Sequence, residues 1–365
     1  MKALNTLLFE GVTQQVFPLA RAVVFHQGQR VYDGGNASED TLFDIASLTK
    51  VMSTTALTLR LNEQKKLALA ARVSDFFPNA RLDKDATLED LLHHRSGYPP
   101  FLCYFEQAMK NHPELFDIDC PVERRELARR EVMARVLETP PGYPRGTQAI
   151  YSDIGFMVLG EICAQAGGQR LDVLFENEVV HPLGLSAGYR RLSTLQSETR
   201  PIAPTGATRP REHAPGQETM WSLPQRPSRE GEVDDDNAWC MDGVSGHAGL
   251  FSTAADVARF GQAVLDGFLK VPYPWRKDTA TPGSTRALGF DTPSVEGASC
   301  GQFIGNQSPG AIGHLGFTGT SLWVDLARKL VVVLLTNRTA LGRANVRIRE
   351  FRSRFHDAVV TALHA

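Results

Sequence analysis

Hydrophobic positions change period along this chain, and the changes mark out its elements. Over the first thirteen residues Leu4, Leu7, Leu8 and Val12 recur at helical spacing on one face. The next segment, ARAVVFHQGQRVYDGG, holds two β-rich runs on either side of Gln27-Gly28, which predicts a hairpin with glycine in its tight turn. Near the other end, HLGFTGTSLWVDLARKLVVVLLTNR predicts two more strands around a polar turn at Ala327 to Lys329. The chain closes on a helix whose Ile348, Phe351, Phe355, Val359 and Leu363 share a face. Helices at both termini, with hairpins just inside them, predict a mostly antiparallel sheet built from both chain ends and flanked by helices.

The middle of the chain reads differently. TLEDLLHHRSGYPP, VERRELARREVMARVLETPPG, DIGFMVLGEICAQAGG and LDVLFENEVVHPLG have helical periodicity and end at Gly or Pro stops. FSTAADVARFGQAVL restarts a helix, with Thr253 and Asp256 spaced as a capping-box variant. Between them, from about Arg190 to Asp242, the sequence is polar and proline-dotted, a connection long enough to fold over a site. The expected organisation is an α/β (α+β) sheet domain from residues 1–68 and 270–365, a mostly helical insertion over 69–269 with a long loop at about 190–242, and an active site between them.

Composition narrows the function classes. A formal net charge of −2 and the absence of a long basic run argue against nucleic acid or an anionic membrane as partner. The five cysteines are scattered and form no C-x-x-C pair, which speaks against a disulfide framework or a zinc site and for a reducing compartment. Asn5, Thr6 and Glu10 interrupt the first apolar stretch, so it reads as a surface helix rather than a signal peptide. No run reaches membrane-spanning length. These features set the expectation of a cytoplasmic protein without cofactor or metal; nothing in them specifies an oligomeric state.

Chemistry enters at FDIASLTKVMSTTALTLRLN, where Ser47 stands three residues before Lys50 at a predicted helix entrance. Residues i and i+3 share a helix face, so hydroxyl and ammonium can meet. At a helix start the Ser47 N–H points away from the helix body. The positive end of the dipole disfavours a second charge there, which predicts a lysine brought down towards about 7–8, useful as a general base. The alternative is a capping serine with a solvated lysine, and the pair alone does not decide. Two further elements follow in order: Tyr151-Ser152-Asp153 at another helix start, and His314-Leu315-Gly316 on a strand near the C-terminus.

Ser-x-x-Lys, a Tyr-x-Asn-type element and a Lys/His-x-Gly strand, in that order, resemble the serine β-lactamase and penicillin-binding-protein superfamily. The nearer likeness is to its class C, esterase-like branch of β-lactamase-related serine hydrolases. LEDLLHHRSGYPP, PGYPRGTQAIYSDIGFMVLGEI, VDDDNAW and GHAGLFSTAADVARF extend the resemblance over nearly the whole chain. It implies a β-lactamase/transpeptidase-like fold and an acyl-enzyme on Ser47. Lys50 would lie against the hydroxyl, and Tyr151 would pass the proton to the leaving group. The N–H groups of Ser47 and Phe317 would form the oxyanion hole beside Gly316, with Asp153 and His314 at the substrate.

Two positions depart from the family pattern. Asp153 replaces the usual asparagine, losing its amide donor and placing a carboxylate that would favour a charged Lys50. His314 replaces lysine and is mostly neutral at pH 7, and Leu315 removes a hydroxyl. Both favour a neutral substrate, so the expectation is a carboxylesterase on small esters with weak β-lactamase activity. The alternatives are a D-amino-acid peptidase or acyltransferase and, outside enzymes, a penicillin-binding-type receptor. The partner in each case is a small ester, amide or lactam. His93-His94 does not suit a metal, His247 in GVSGHAG reads as structural, and Asp234-Asp235-Asp236 reads as a solvated turn rather than a cation site.

Overall fold

The structure, a computed structural model, describes residues 2–195, 198–211 and 225–364. Helix α1 (Lys2–Thr13) leads into the hairpin of β1 (Ala20–His26) and β2 (Gln29–Gly35), whose turn residues Gln27 and Gly28 both take positive φ. That is the turn whose twist matches a hairpin. A short β3 (Phe43–Asp44) precedes α2 (Ala56–Glu63), α3 (Leu88–Leu92), α4 (Tyr104–Asn111), α5 (Val122–Glu138), α6 (Asp153–Gly167), α7 (Leu171–Phe175) and the one-turn α8 (His181–Leu183). The long connection carries β4 (Gly188–Tyr189), β5 (Thr208–Arg209), β6 (Arg226–Pro227) and α9 (Asp236–Cys240). After β7 (Leu250–Ser252) come α10 (Ala254–Leu265), β8 (Arg286–Ala287), β9 (Phe290–Asp291), β10 (Ala311–Leu315), β11 (Ser321–Asp325), β12 (Leu330–Thr336) and α11 (Ile348–His364).

The two chain ends meet in a seven-stranded sheet of order β2-β1-β12-β11-β10-β9-β8, with β1 against β12 in the register Val23↔Val333. Strand β12 reads LVVVLLT, without alternation, because both of its faces are covered. Leu330, Val332 and Leu334 pack with α1 and α11; Val331, Val333 and Leu335 join the larger core on the opposite face. Helix α10 lies against β1, β11 and β12, although the expected boundary at 269 groups it with the helical part. The apolar run of α6 is likewise continuous because α2, α3, α5 and α7 surround it. Its ends follow capping rules: the Ser152 hydroxyl accepts from the Gly155 N–H at 3.1 Å, and left-handed Gly168 ends it. Among the described residues no helix is long and apolar enough to cross a membrane.

The segment expected as a loop over 190–242 is ordered around charge where it is described; residues 196–197 and 212–224 of it lie outside the described residues. Asp234-Asp235-Asp236 is not a solvated turn. Asp236 pairs with Arg209 at 2.7 Å and Arg343 at 3.0 Å, Asp234 with Arg343 at 3.2 Å, and all three members of this cluster on the acidic side are largely buried or capped. Five arginines scattered between 209 and 343 supply the compensation, which no local pattern announces. Glu232, fully buried, receives Arg226 at 2.5 Å and Arg229 at 3.1 Å. Burial pushes its carboxyl up, but Arg209 and Arg226 more than reverse this and hold it at about 2, against 4.5 for a free glutamate.

A carboxyl depressed on folding contributes stability that is complete above the unfolded value and is lost as pH falls through the folded one. Melting temperature is therefore expected to fall between about pH 4.5 and pH 2 partly through Glu232. Glu232→Gln should be less stable than the parent at neutral pH and should flatten that acid slope. An acid melting profile parallel to the parent's would contradict the assignment.

Candidate active site

Ser47 stands on a strained entrance. After β3 the chain turns at Ala46, a non-glycine residue at φ +48, whose N–H donates to the Asp44 carboxylate at 2.8 Å. The other Asp44 oxygen accepts from the Asp234 N–H at 2.5 Å, so one buried side chain ties the Ser47 turn to the acidic segment. Burial and the neighbouring Asp234 push the Asp44 carboxyl up to about 7. Helical winding starts at Leu48, and Lys50–Thr55 is wound as a π-helix before α2, where the sequence predicts a regular helix. Such wide turns cluster at functional sites because they re-aim side chains.

Lys50 is fully buried, and its ammonium has three acceptors: Ser47 Oγ at 3.2 Å, Asp153 Oδ1 at 2.6 Å and the His247 carbonyl at 3.1 Å. Three acceptors match three N–H bonds and leave no lone pair. The expected lowering of the lysine pKa is therefore overturned. Burial does oppose the charge, but the Asp153 carboxylate, followed by Tyr151, outweighs it and raises the pKa above the ordinary lysine value. Asp153 can do this because Ser152 performs the capping of α6, which frees the next side chain to face Lys50. Burial raises the Tyr151 pKa against the opposing influence of Lys50 beside it, so it rests as a neutral phenol. Lys50 lies 4.8 Å from the Tyr151 ring centroid.

The turn after β10 is fastened to the segment before Ser47. Thr318 Oγ1 donates to the Asp44 carbonyl at 2.7 Å and Thr320 Oγ1 to the Ile45 carbonyl at 3.0 Å. Gly316 sits so close to that segment that a Cβ would stand 2.6 Å from the Ile45 oxygen. Arg338 Nε donates to the Phe317 carbonyl at 2.7 Å and fixes the next peptide plane. Neither the Ser47 nor the Phe317 N–H donates to another group among the described residues, and both residues line one cavity of about 760 Å³. Two free amides beside a serine hydroxyl have the geometry that an oxyanion hole requires. Tyr151, Asp153, His314 and Gly316 line the same cavity, so all the residues singled out in the sequence converge there except Lys50, which lies just beneath it.

His314 is buried, and its Nδ1 donates to the Leu315 carbonyl at 2.8 Å, leaving Nε2 as an unpartnered acceptor. Burial, then the charges of Lys50 and Arg286, push its pKa well down, so it is neutral. Cations at the site come instead from residues without a local motif. Arg286 lies 5.4 Å from the Tyr151 ring centroid, and Arg349 and Arg352 of α11 line the cavity. Arg352 Nη2 donates to the Gly316 and Thr320 carbonyls at 2.6 and 2.8 Å, its Nε has no partner, and burial with Arg338 and Arg349 lowers its pKa to about 9. No carboxylate pairs with Arg338, Arg349 or Arg352 among the described residues.

Two histidines set aside in the sequence support the site. His94 Nδ1 accepts from the Ser152 N–H at 3.0 Å, and its ring lies 4.9 Å from Tyr151. His247 bonds Ser245 Oγ at 2.8 Å and Asp235 at 2.9 Å while its carbonyl receives Lys50, so its structural role serves the site directly. Their only sequence signal is membership of HHRSG and GVSGHAG, two segments that flank the family motifs.

The model of the Beta-lactamase family matches residues 4–353. The chain belongs to this family. It is a serine-type hydrolase with the mixed helix and antiparallel-sheet fold of β-lactamases and penicillin-binding proteins. An "N-acetylmuramyl-L-alanine amidase" of Bacillus subtilis (strain 168) is 32% identical over 318 residues, covering 82% of this chain and 68% of its own. A "Putative D-alanyl-D-alanine carboxypeptidase" of Escherichia coli (strain K12) is 30% identical over 346 residues, covering 84% and 73%. Among solved structures, "EstCE1, a hydrolase with promiscuous acyltransferase activity" superposes with a TM-score of 0.66 at 18% identity, covering 96% of this chain and 98% of that one.

Proposed function

We propose that this protein is an acyl-enzyme hydrolase in which Ser47 attacks a small ester or amide whose leaving group carries a carboxylate, as in a D-amino-acid peptide or depsipeptide. The supporting observation is the convergence of Ser47 and Tyr151 on one cavity with two free amide donors, and Lys50 hydrogen-bonded to Ser47 just beneath it. Ser47 Oγ adds to the carbonyl carbon, the amides of Ser47 and Phe317 receive the oxyanion, and Tyr151 delivers a proton to the departing atom. Water then repeats the attack and releases the acid.

The carboxylate preference is supported by Arg349 and Arg352, which line the cavity beside Phe317 without an acidic partner. The names of the amidase and carboxypeptidase relatives agree with an amide substrate. A second reading, a neutral short-chain esterase, is favoured by the neutral His314 and by exposed Phe317 and Val346 at the rim. One matched pair separates the two, followed at the phenolic ester: 3-acetoxybenzoic acid, whose leaving group carries a carboxylate, and its methyl ester, whose leaving group does not. The acid is expected to show the higher kcat/KM, and Arg349→Ala should cost it about 10- to 100-fold, the worth of one hydrogen bond to a charged group, while sparing the methyl ester. Equal rates on both esters would favour the second reading.

A further inference from the structure

The three donors of Lys50 pose a problem of proton accounting. Ser47 must lose its proton when Oγ bonds to carbon, yet its nearest neighbour is an ammonium with no lone pair. Other acceptors around the cavity fail in turn. Tyr151 rests as a phenol. In neutral His94, Nδ1 accepts from Ser152, so the proton sits on Nε2 and no lone pair is free. His247 has both nitrogens engaged, with Ser245 and Asp235. His314 offers a lone pair on Nε2, but burial beside Lys50 and Arg286 makes it a weak base, and no contact joins it to Ser47.

One exit remains, and it is the shortest bond that Lys50 makes. We propose that Asp153 is the resting place of the Ser47 proton, reached through Lys50. This rests on the acyl-enzyme reading above. As the Oγ–C bond forms, Lys50 Nζ gives one N–H proton to Asp153 Oδ1, 2.6 Å away, turns the lone pair so freed towards Oγ and takes the Oγ proton. Lys50 is an ammonium before and after the step, and the carboxylate becomes a carboxylic acid. When the bond from carbon to the leaving atom breaks, the proton returns from Asp153 through Lys50 and Tyr151 to that atom.

Substrate itself favours the transfer. Asp153 lines the cavity with its side chain 18% exposed. A ligand that displaces water from it removes the solvation that supports the charged carboxylate. The aspartate in place of asparagine thus turns a two-member Ser–Lys base into a three-member relay. Asp153 reaches the reacting atoms only through Lys50 and positions the proton there.

The test is the pH dependence of kcat/KM on a 4-nitrophenyl ester, for the parent enzyme and Asp153→Asn, with rates expressed per site titrated by a fluorophosphonate. The acid limb of the parent is the reference. In the variant no carboxylate takes the proton, and Lys50 must first lose one to become a base, a requirement met only at higher pH. The groups facing the pair are Tyr151, His94, His247 with Asp235, His314 and Arg286, and none of them changes in the variant. The acid limb is expected to move up by more than one pH unit, with activity recovering above it. A limb at the parent's pH with rates scaled down throughout would assign Asp153 a structural role and overturn the relay.

Should the variant fail to fold, the proton inventory of acylation by the unaltered enzyme in mixed H₂O and D₂O decides the matter. A curved plot, with two protons moving together, supports the relay, and a straight line removes it. Turnover surviving in Ser47→Ala would instead sink the acyl-enzyme reading on which the relay rests.

Discussion

Replacing Ser47 by alanine is expected to lower ester turnover by about 10⁴-fold or more, leaving only what the amides and the binding cavity provide. The reason lies in the division of labour at the site. Lys50 hydrogen-bonds to Oγ and the Tyr151 phenol is its neighbour, so in the proposed reaction neither has a proton to move until Oγ attacks. Removing it leaves a cation, a carboxylate and a phenol around an empty point, with no bond to make. The substitution deletes one partly exposed oxygen, so melting temperature should stay within a degree or two of the parent. Mass spectrometry after brief exposure to substrate should find an acyl adduct on the parent and none on the variant. Turnover within tenfold of the parent would show that the nucleophile lies elsewhere.

Gly246→Ala should have the largest effect on folding. Gly246 rests against the backbone of α6: a Cβ there would collide with the Phe156 carbonyl oxygen and come within 2.9 Å of Gly160 Cα. Neither neighbour is a side-chain end that can swing away, and α6 is held on all sides by other helices. The Gly246 carbonyl also accepts from Thr54 Oγ1 at 2.6 Å, and the next carbonyl, that of His247, accepts from Lys50. Pushing this loop off α6 therefore opens the cage around the buried ammonium as well as the core. A loss of more than about 4 kcal/mol is expected, near the upper end for single substitutions. Soluble variant with parent-like melting would mean that the loop relaxes freely, contrary to the backbone contacts on both sides.

The elements at the chain ends were legible because each carries a clean period. The hairpin turn at Gln27-Gly28, the turn at Ala327 to Lys329 and the apolar face of α11 stand where the pattern puts them. The π-wound stretch at Lys50–Thr55 was not legible, since its residues read as an ordinary helix and only its surroundings widen it. The acidic triplet misled for a related reason. Three adjacent aspartates look solvated until arginines more than a hundred residues away in sequence, such as Arg343, fold over them.

By itself the sequence determined the order and type of the elements and the three spaced motifs that place the chain in its family, because periodicity and i to i+3 spacing are local properties. Tertiary structure decided the charge state of the site, which the sequence left open between a Lys50 lowered at a helix start and one kept charged by Asp153. Lys50 gains a carboxylate from a residue 103 positions away, His314 is stripped of water and of its charge, and α11 brings unpaired arginines to the cavity. Charge in a buried site depends on the distance to every other charge and on the water removed, and neither quantity exists until the chain has folded.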